Sequence, residues 1–417
     1  MDSAFVLEAP RTLREERFEP LGIATLLALA GAVQFSIAIA QFLFGVAILC
    51  WLALIVVRRE RVEAPRFFWP LAGYAAMTLV AAAFSSDPRT SFVDCKQLLL
   101  LLLVPLTFRF ASGRGATFAT VIVTCAAVSA AFGIFQYGIF HYDWLGQRPR
   151  GFMGHYMTFS GLLMIAIALA VARLLFATSG RMWSLLVMPA LAFAVALTFT
   201  RSAEVGVCAA VALLFVLRDF RLVAVLPIIA AIFFALSPTS VQQRFVSILN
   251  AKDPNRIDRI AMLHIGERMI AAHPLTGVGP NMVQRQYESY RGPDAVNKIN
   301  PHLHNNPLQI AAERGLPALA FWLWFIAAAA WDLWRRYKTA GADRFLAAGG
   351  LAAIVALLTA GLFEYNFGDS EVLMLFLIVV TLPAATAVAR IAQPERDPST
   401  GSGSSRAESD EASAARR

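Results

Sequence analysis

Charge is scarce in this sequence, and so is cysteine. Only 15% of the 417 residues are charged while 58% are hydrophobic, a balance that excludes a soluble enzyme and leaves apolar stretches long enough to cross a bilayer. The four cysteines, Cys50, Cys95, Cys125 and Cys208, lie in or beside apolar runs without metal-ligand spacing, so disulfides and zinc sites are not expected. A basic patch for nucleic acid is missing too. The formal charge of +8 comes from short clusters between apolar runs, the pattern of the positive-inside rule, and nucleic acid is not an expected partner. No internal repeat is visible. The stretch Ala28–Ala32 looks superficially like a signal-peptidase site, but no soluble domain follows it, so the first span is read as uncleaved.

What is there reads as an all-α polytopic membrane protein of about twelve transmembrane helices. The expected division is a cytoplasmic segment over 1–20, spans one to nine over 21–236, a large periplasmic loop over 237–315, spans ten to twelve over 316–392, and a disordered cytoplasmic tail over 393–417. The run Leu21–Val57 is too long for one crossing, and Gln34 and Ser36 near its middle mark a tight turn between two helices. Arg58, Arg59, Arg61 and Arg66, then Arg109 and Arg114, and later Arg335, Arg336, Lys338 and Arg344 place alternate loops, and with them both termini, in the cytoplasm. Within the long loop Met262, Ile265, Met269 and Ala272 form one helical face, predicting a short amphipathic helix on the membrane or on the bundle. The Pro274–Pro280 stretch then forces turns.

The polar stretch Asn300–Gly315, NPHLHNNPLQIAAERG, stands directly before an apolar run. Its spacing predicts a short helix with Asn306 as cap, Pro307 first, Gln309 third and Gly315 as stop. His304 then lies just outside a helix N-terminus, whose partial positive charge disfavours imidazolium and leaves the ring neutral and able to take a proton. The plainer reading is a polar connection whose histidines hydrogen-bond backbone. Arg201 stands in a turn between two apolar helices, Arg259 in the long loop, and Arg148 and Arg150 in another external loop. A guanidinium fork suits phosphate or pyrophosphate, although Arg148, Arg150 and Lys96 also fit as lipid-phosphate anchors. The close acidic pair Asp369 and Glu371 is a poor ligand set, so neither metal nor cofactor is expected. Glu204 and Glu313 stay open as covalent nucleophiles.

These residues carry a resemblance to the O-antigen ligase family, within the broader group of O-unit polymerases and protein O-oligosaccharyltransferases. His304-Asn305, nine residues, Gly315 and then Ala318 in place of the commoner Gly resemble the ligase motif. Thr198–Ser202 is similar to the family's TxSR-like turn, with Thr200 where Ser is commoner and Ser202 where Gly is. Asp258-Arg259 through Gly279 looks like its outer loop. The resemblance implies a multi-pass enzyme of the bacterial inner membrane. It would transfer a glycan from undecaprenyl pyrophosphate to the lipid A-core oligosaccharide at the periplasmic face, without a metal and with inversion. His304 would act as base or acceptor-positioning group, Arg201 and Arg259 would neutralise the pyrophosphate, and Arg148, Arg150, His302, Asn305 and Lys96 would contact substrate. The alternatives are a polymerase or a protein O-oligosaccharyltransferase. From another class, a twelve-span secondary transporter would also satisfy the hydropathy, but should show repeat symmetry and mid-membrane ionisable groups.

Overall fold

The computed structural model describes residues 15–144, 146–236, 239, 242, 254–293, 295 and 297–392, which are helical with no strand among them. The expected tail over 393–417 and most of the expected cytoplasmic segment over 1–20 lie outside the described residues.

Polar residues break the first apolar run where the sequence places the turn. Helix α1 (Glu15–Ala32) ends before Gln34, and α2 (Ile37–Arg58) starts at Ser36, whose hydroxyl accepts from the Ile39 amide. Gln34 is buried in the turn, and its carbonyl accepts from the Ser129 hydroxyl at 3.2 Å. The next helices are α3 (Phe68–Ala83), α4 (Pro88–Phe110, tightened to 3₁₀ over Cys95–Leu102), α5 (Gly115–Gly138) and α6 (Tyr156–Phe176). After them come α7 (Arg181–Leu197), α8 (Arg201–Arg218) and α9 (Leu226–Leu236).

Among the described residues six helices are long and apolar enough to cross a membrane: α2, α4, α5, α6 and two C-terminal ones, α12 (Asn306–Thr339) and α14 (Ser370–Ala392). Three shorter apolar helices accompany them, α3, α7 and α13 (Arg344–Ala360). The chain is therefore a polytopic helical membrane protein. Among the described residues the ninth expected span appears as the 11-residue helix α9 behind the 3₁₀ segment Phe220–Val225.

Helix α6 is buried on all sides from Thr158 to Arg173, and α14 is similarly enclosed from Val372 to Thr386. Helix α13 packs against α6 and α8, and α12 against α3. The outer face of α2 shows Phe42, Leu49 and Val56, seven residues apart and all exposed; such a stripe is costly in water and natural against lipid. At one end of the bundle Arg58 meets Glu19 at 2.8 Å, and Arg109 bridges Glu60 at 2.9 Å and Glu19 at 3.1 Å, tying α1, α2 and α4 together.

At the other end a second, smaller core forms. Helix α10 (Pro254–Ala272) turns Met262, Ile265 and Met269 onto Val278, Met282, Tyr287 and Leu303, with α11 (Val283–Tyr290) beside it. The amphipathic face thus packs on protein; Ala272, expected on it, is exposed at the helix end. The Pro274–Pro280 stretch has a definite task. Helix α12 breaks at Gly315 (φ 78°, ψ 168°) and resumes, rather than stopping there. Pro317 has no N–H to offer the Glu313 carbonyl, and the Leu316 amide turns away to the Pro274 carbonyl at 2.8 Å. The two orphaned carbonyls are filled from outside: Val278 donates to Ala312 at 2.8 Å and Gly279 to Glu313 at 2.9 Å.

Candidate active site

The start of α12 is stitched to the α13–α14 connection. Asn305, one residue earlier than the sequence reading, is the cap and accepts from the Leu308 amide at 2.9 Å. Its amide donates to the Leu362 carbonyl at 3.1 Å. Asn306 is buried: its backbone N–H donates to Gly361 at 2.7 Å, its side-chain NH₂ to Asn366 at 2.6 Å, and its side-chain oxygen accepts from Phe367 at 3.1 Å. Gln309 reaches back to accept from the Leu303 amide at 2.7 Å. These bonds use polar groups that a helix start leaves open. They also carry Glu364 against the histidines.

Glu364 sits with Oε2 3.0 Å and Oε1 3.1 Å from Nδ1 of His304, and with Oε1 3.8 Å from Nε2 of His302. The two imidazole rings meet edge to face, 4.1 Å between centroids. His304 holds a left-handed backbone (φ 49°), a conformation that persists only where its surroundings fix it. Burial works to raise the Glu364 carboxyl, but the His304 hydrogen bond and the charges of both histidines outweigh it and hold the group below its ordinary value. An ionised carboxylate on Nδ1 requires the proton there, which leaves Nε2 as the basic nitrogen of the neutral ring. Burial, followed by the charge of His304, pushes His302 down to about 4. The sequence reading assigned control of His304 to the helix end; the structure adds a carboxylate in direct contact with it.

Beside this trio is a cavity of about 350 Å³, the size class of small-molecule sites. His302, Glu364, Tyr365, Asp94, His155, Glu313, Arg314 and Asp369 are among its lining residues, and His304 stands one contact behind them. Arg314 is 4% exposed; it donates to Glu313 at 2.8 Å and to the Tyr365 hydroxyl at 3.1 Å, and lies 3.8 Å from Asp94. His155 caps α6, its ring accepting from the Met157 amide. Asp369 accepts from the Thr158 hydroxyl at 2.5 Å and from the Val372 amide at 3.1 Å.

Of the residues singled out from the sequence, His302 and His304 come together here, and Asn305 secures the carboxylate's loop. Arg201 begins α8 after a turn in which Phe199 is left-handed (φ 54°), and is half-buried. Arg259 is half-buried near the start of α10, next to Asp258, which accepts from Asn297 at 2.7 Å. Arg148 lies over the Tyr156 ring at 4.2 Å and acts electrostatically on His155. Arg150 is exposed, with its backbone N–H on Gln136, and Lys96 is exposed next to the cavity residue Gln97. None of these five is among the described residues lining the cavity. Glu313 is buried against Arg314, and Glu204 lies in the first turn of α8.

Sequence reasoning passed over Glu364, Arg314, Asp94 and His155. A signal for Glu364 was present: it opens the polar break EYNFGDSE between two apolar runs, on the side that carries the histidines. His302, His304 and Glu364 also have the donor set of a His₂Glu site, with ligand atoms within 4.8 Å of one another, so they could hold one zinc-type ion. No curated protein matches the chain. A sequence model of the family described as O-Antigen ligase matches residues 185–323, a stretch that includes Arg201, Arg259, His302, His304 and the break in α12.

Proposed function

We propose that this chain is a glycosyltransferase that moves a glycan from undecaprenyl pyrophosphate to a sugar hydroxyl of lipid A-core, at the periplasmic face of the helical bundle, without a metal. The observation that carries the reading is the carboxylate on Nδ1 of His304, at the edge of a cavity, inside the segment that matches the family. The acceptor oxygen attacks the anomeric carbon as its proton passes to Nε2 of His304. The bond from that carbon to the pyrophosphate oxygen breaks with inversion, and the pyrophosphate leaves with the electron pair. A sugar hydroxyl is a weak nucleophile, and a positioned base contributes about 10²–10⁴-fold. Pyrophosphate is already a good leaving group, so Arg201 and Arg259 serve by neutralising charge rather than by giving a proton.

The test is transfer by purified protein from a polyprenyl-pyrophosphate glycan to lipid A-core in chelator, comparing wild type with His304→Ala. Product that survives chelation and is lost in the variant is the expected result. Activity lost in chelator and restored by zinc would assign the His302, His304 and Glu364 trio to a metal instead. Chain extension on a second donor, with none on core, would make the protein a polymerase.

A further inference from the structure

The cavity beside the histidines is acidic, although the donor in the proposed reaction is an anion. Asp94, Glu364 and Asp369 line it together with buried Glu313. Arg314, the one arginine among the described lining residues, is already engaged, giving hydrogen bonds to Glu313 and to the Tyr365 hydroxyl. A pyrophosphate placed there would face several carboxylates across the cleft, where like charges repel. Arg201, Arg259, Arg148 and Arg150 lie outside the described lining, so the charge suited to pyrophosphate and the cavity are separate features.

What the wall suits is a hydroxyl-rich ring. Hydroxyls donate to carboxylates in charge-assisted bonds and accept from side-chain amides, and Asn281 and Gln284 bring such amides to the wall. The Asp94 carboxylate is 3.8 Å from Arg314, beyond hydrogen-bonding length, with a side chain 33% exposed. Asp369 is held in place by Thr158 and Val372 and shares a side-chain hydrogen bond with Glu371, which still leaves its carboxylate an acceptor site for a hydroxyl. Glu364 joins this wall to His304, so a sugar held here would present a hydroxyl beside the proposed base.

We propose that the cavity is the acceptor subsite, and that it selects a sugar bearing no phosphate or carboxylate next to the accepting hydroxyl and takes an amino sugar at least as well as a neutral one. Asp94 and Asp369 are the specificity-determining residues. The inference rests on the transferase reading, and binding without donor separates the two.

The experiment uses the full chain in detergent and three alkyl oligosaccharides that differ only in the terminal residue: a hexose, a hexosamine and a hexose phosphate. Binding is read by calorimetry without donor, and KM and kcat are then read with donor. The phosphorylated probe should bind about tenfold or more weakly than the neutral one. Asp94→Asn and Asp369→Asn, tested singly, should each narrow that gap by weakening the neutral probe and admitting the phosphorylated one. Equal binding of neutral and phosphorylated probes to wild type, binding of none, or an unchanged gap in both folded variants would overturn the proposal. The wild-type comparison stands even where a variant fails to fold. Selective binding with no transfer to any probe would remove the transferase reading and keep the subsite; transfer to all three at equal KM would do the reverse.

Discussion

Glu364 and His304 are sixty residues apart in the chain, and the carboxylate lies 3.0 Å from the ring nitrogen. The contact fixes the ring's tautomer and orientation, as the third member of a nucleophile, base and orienter arrangement does. Glu364→Gln keeps an oxygen for Nδ1–H but removes the charge that would stabilise the imidazolium formed in the proposed transfer. Its kcat should fall by at least about 10²-fold, toward the ~10⁴-fold loss that follows when the carboxylate orienting a base is turned into an amide, with a smaller effect on KM for the acceptor. Steady-state kinetics of Glu364→Gln at matched membrane abundance decide it, and an unaltered kcat would remove Glu364 from the mechanism.

Gly315 and Leu275 make the second relationship with a consequence. Gly315 is left-handed, and a Cβ there would run into the Leu275 carbonyl. Gly315→Ala should therefore destabilise the protein by about 1–3 kcal/mol, read as a lowered thermal unfolding midpoint in detergent. Pro317→Ala acts differently, because it gives the chain an N–H that competes with Gly279 for the Glu313 carbonyl. That variant should stay folded while losing activity, as the segment before the break is pulled into line with the rest of α12. Full activity in Pro317→Ala would show that the break itself is dispensable.

The turn at Gln34 and Ser36 was legible because two polar residues interrupt a long apolar run, and local chemistry settles such a break. The helix start near His304 was legible to within one residue, since Asn305 and Asn306 are both good caps and only Asn306's tertiary partners, Asn366 and Phe367, assign the cap to Asn305. Gly315 could be read as an interruption but not as a kink. What lets the helix resume is Gly279 and Val278, donating from a segment more than thirty residues away. Arg314 carries no local signal in the sequence; its burial depends on Tyr365 and Asp94, which only the folded bundle brings to it. Periodicity finds helices and their ends, whereas contacts between distant loops, such as that of Glu364, leave no local pattern.

His302 makes the site sensitive to acid. Burial, followed by the neighbouring His304 charge, lowers it from an ordinary 6.5 to about 4. Between these values the unfolded chain binds a proton that the folded one refuses, so unfolding is favoured as pH falls. Stability from this group is present above pH 6.5 and is lost on the way down to about 4. The lowered carboxyl of Glu364 adds a loss of the same sign below its ordinary 4.5. Thermal midpoints measured across this range should drop for wild type and flatten above pH 4.5 in His302→Ala. Equal slopes for the two proteins would mean that His302 is not the group that titrates.

Arg201 tests the other half of the proposed reaction. It begins α8 behind a left-handed Phe199. If it neutralises the departing pyrophosphate, Arg201→Ala should lose about 10²–10³-fold in kcat, the scale set by removing one electrostatic stabiliser, while the protein remains inserted at normal abundance. Arg201→Lys keeps the charge and loses the fork, and should recover part of that loss. A purely structural arginine predicts another pattern: reduced abundance, a lower unfolding midpoint, and no difference between Lys and Ala in turnover per inserted molecule. The leaving group supplies the stricter comparison. With a donor that departs as a monophosphate, less charge develops for the arginine to meet, so the wild-type advantage over Arg201→Ala should shrink. An advantage that stays constant across both donors would place Arg201 in general substrate binding rather than at the breaking bond.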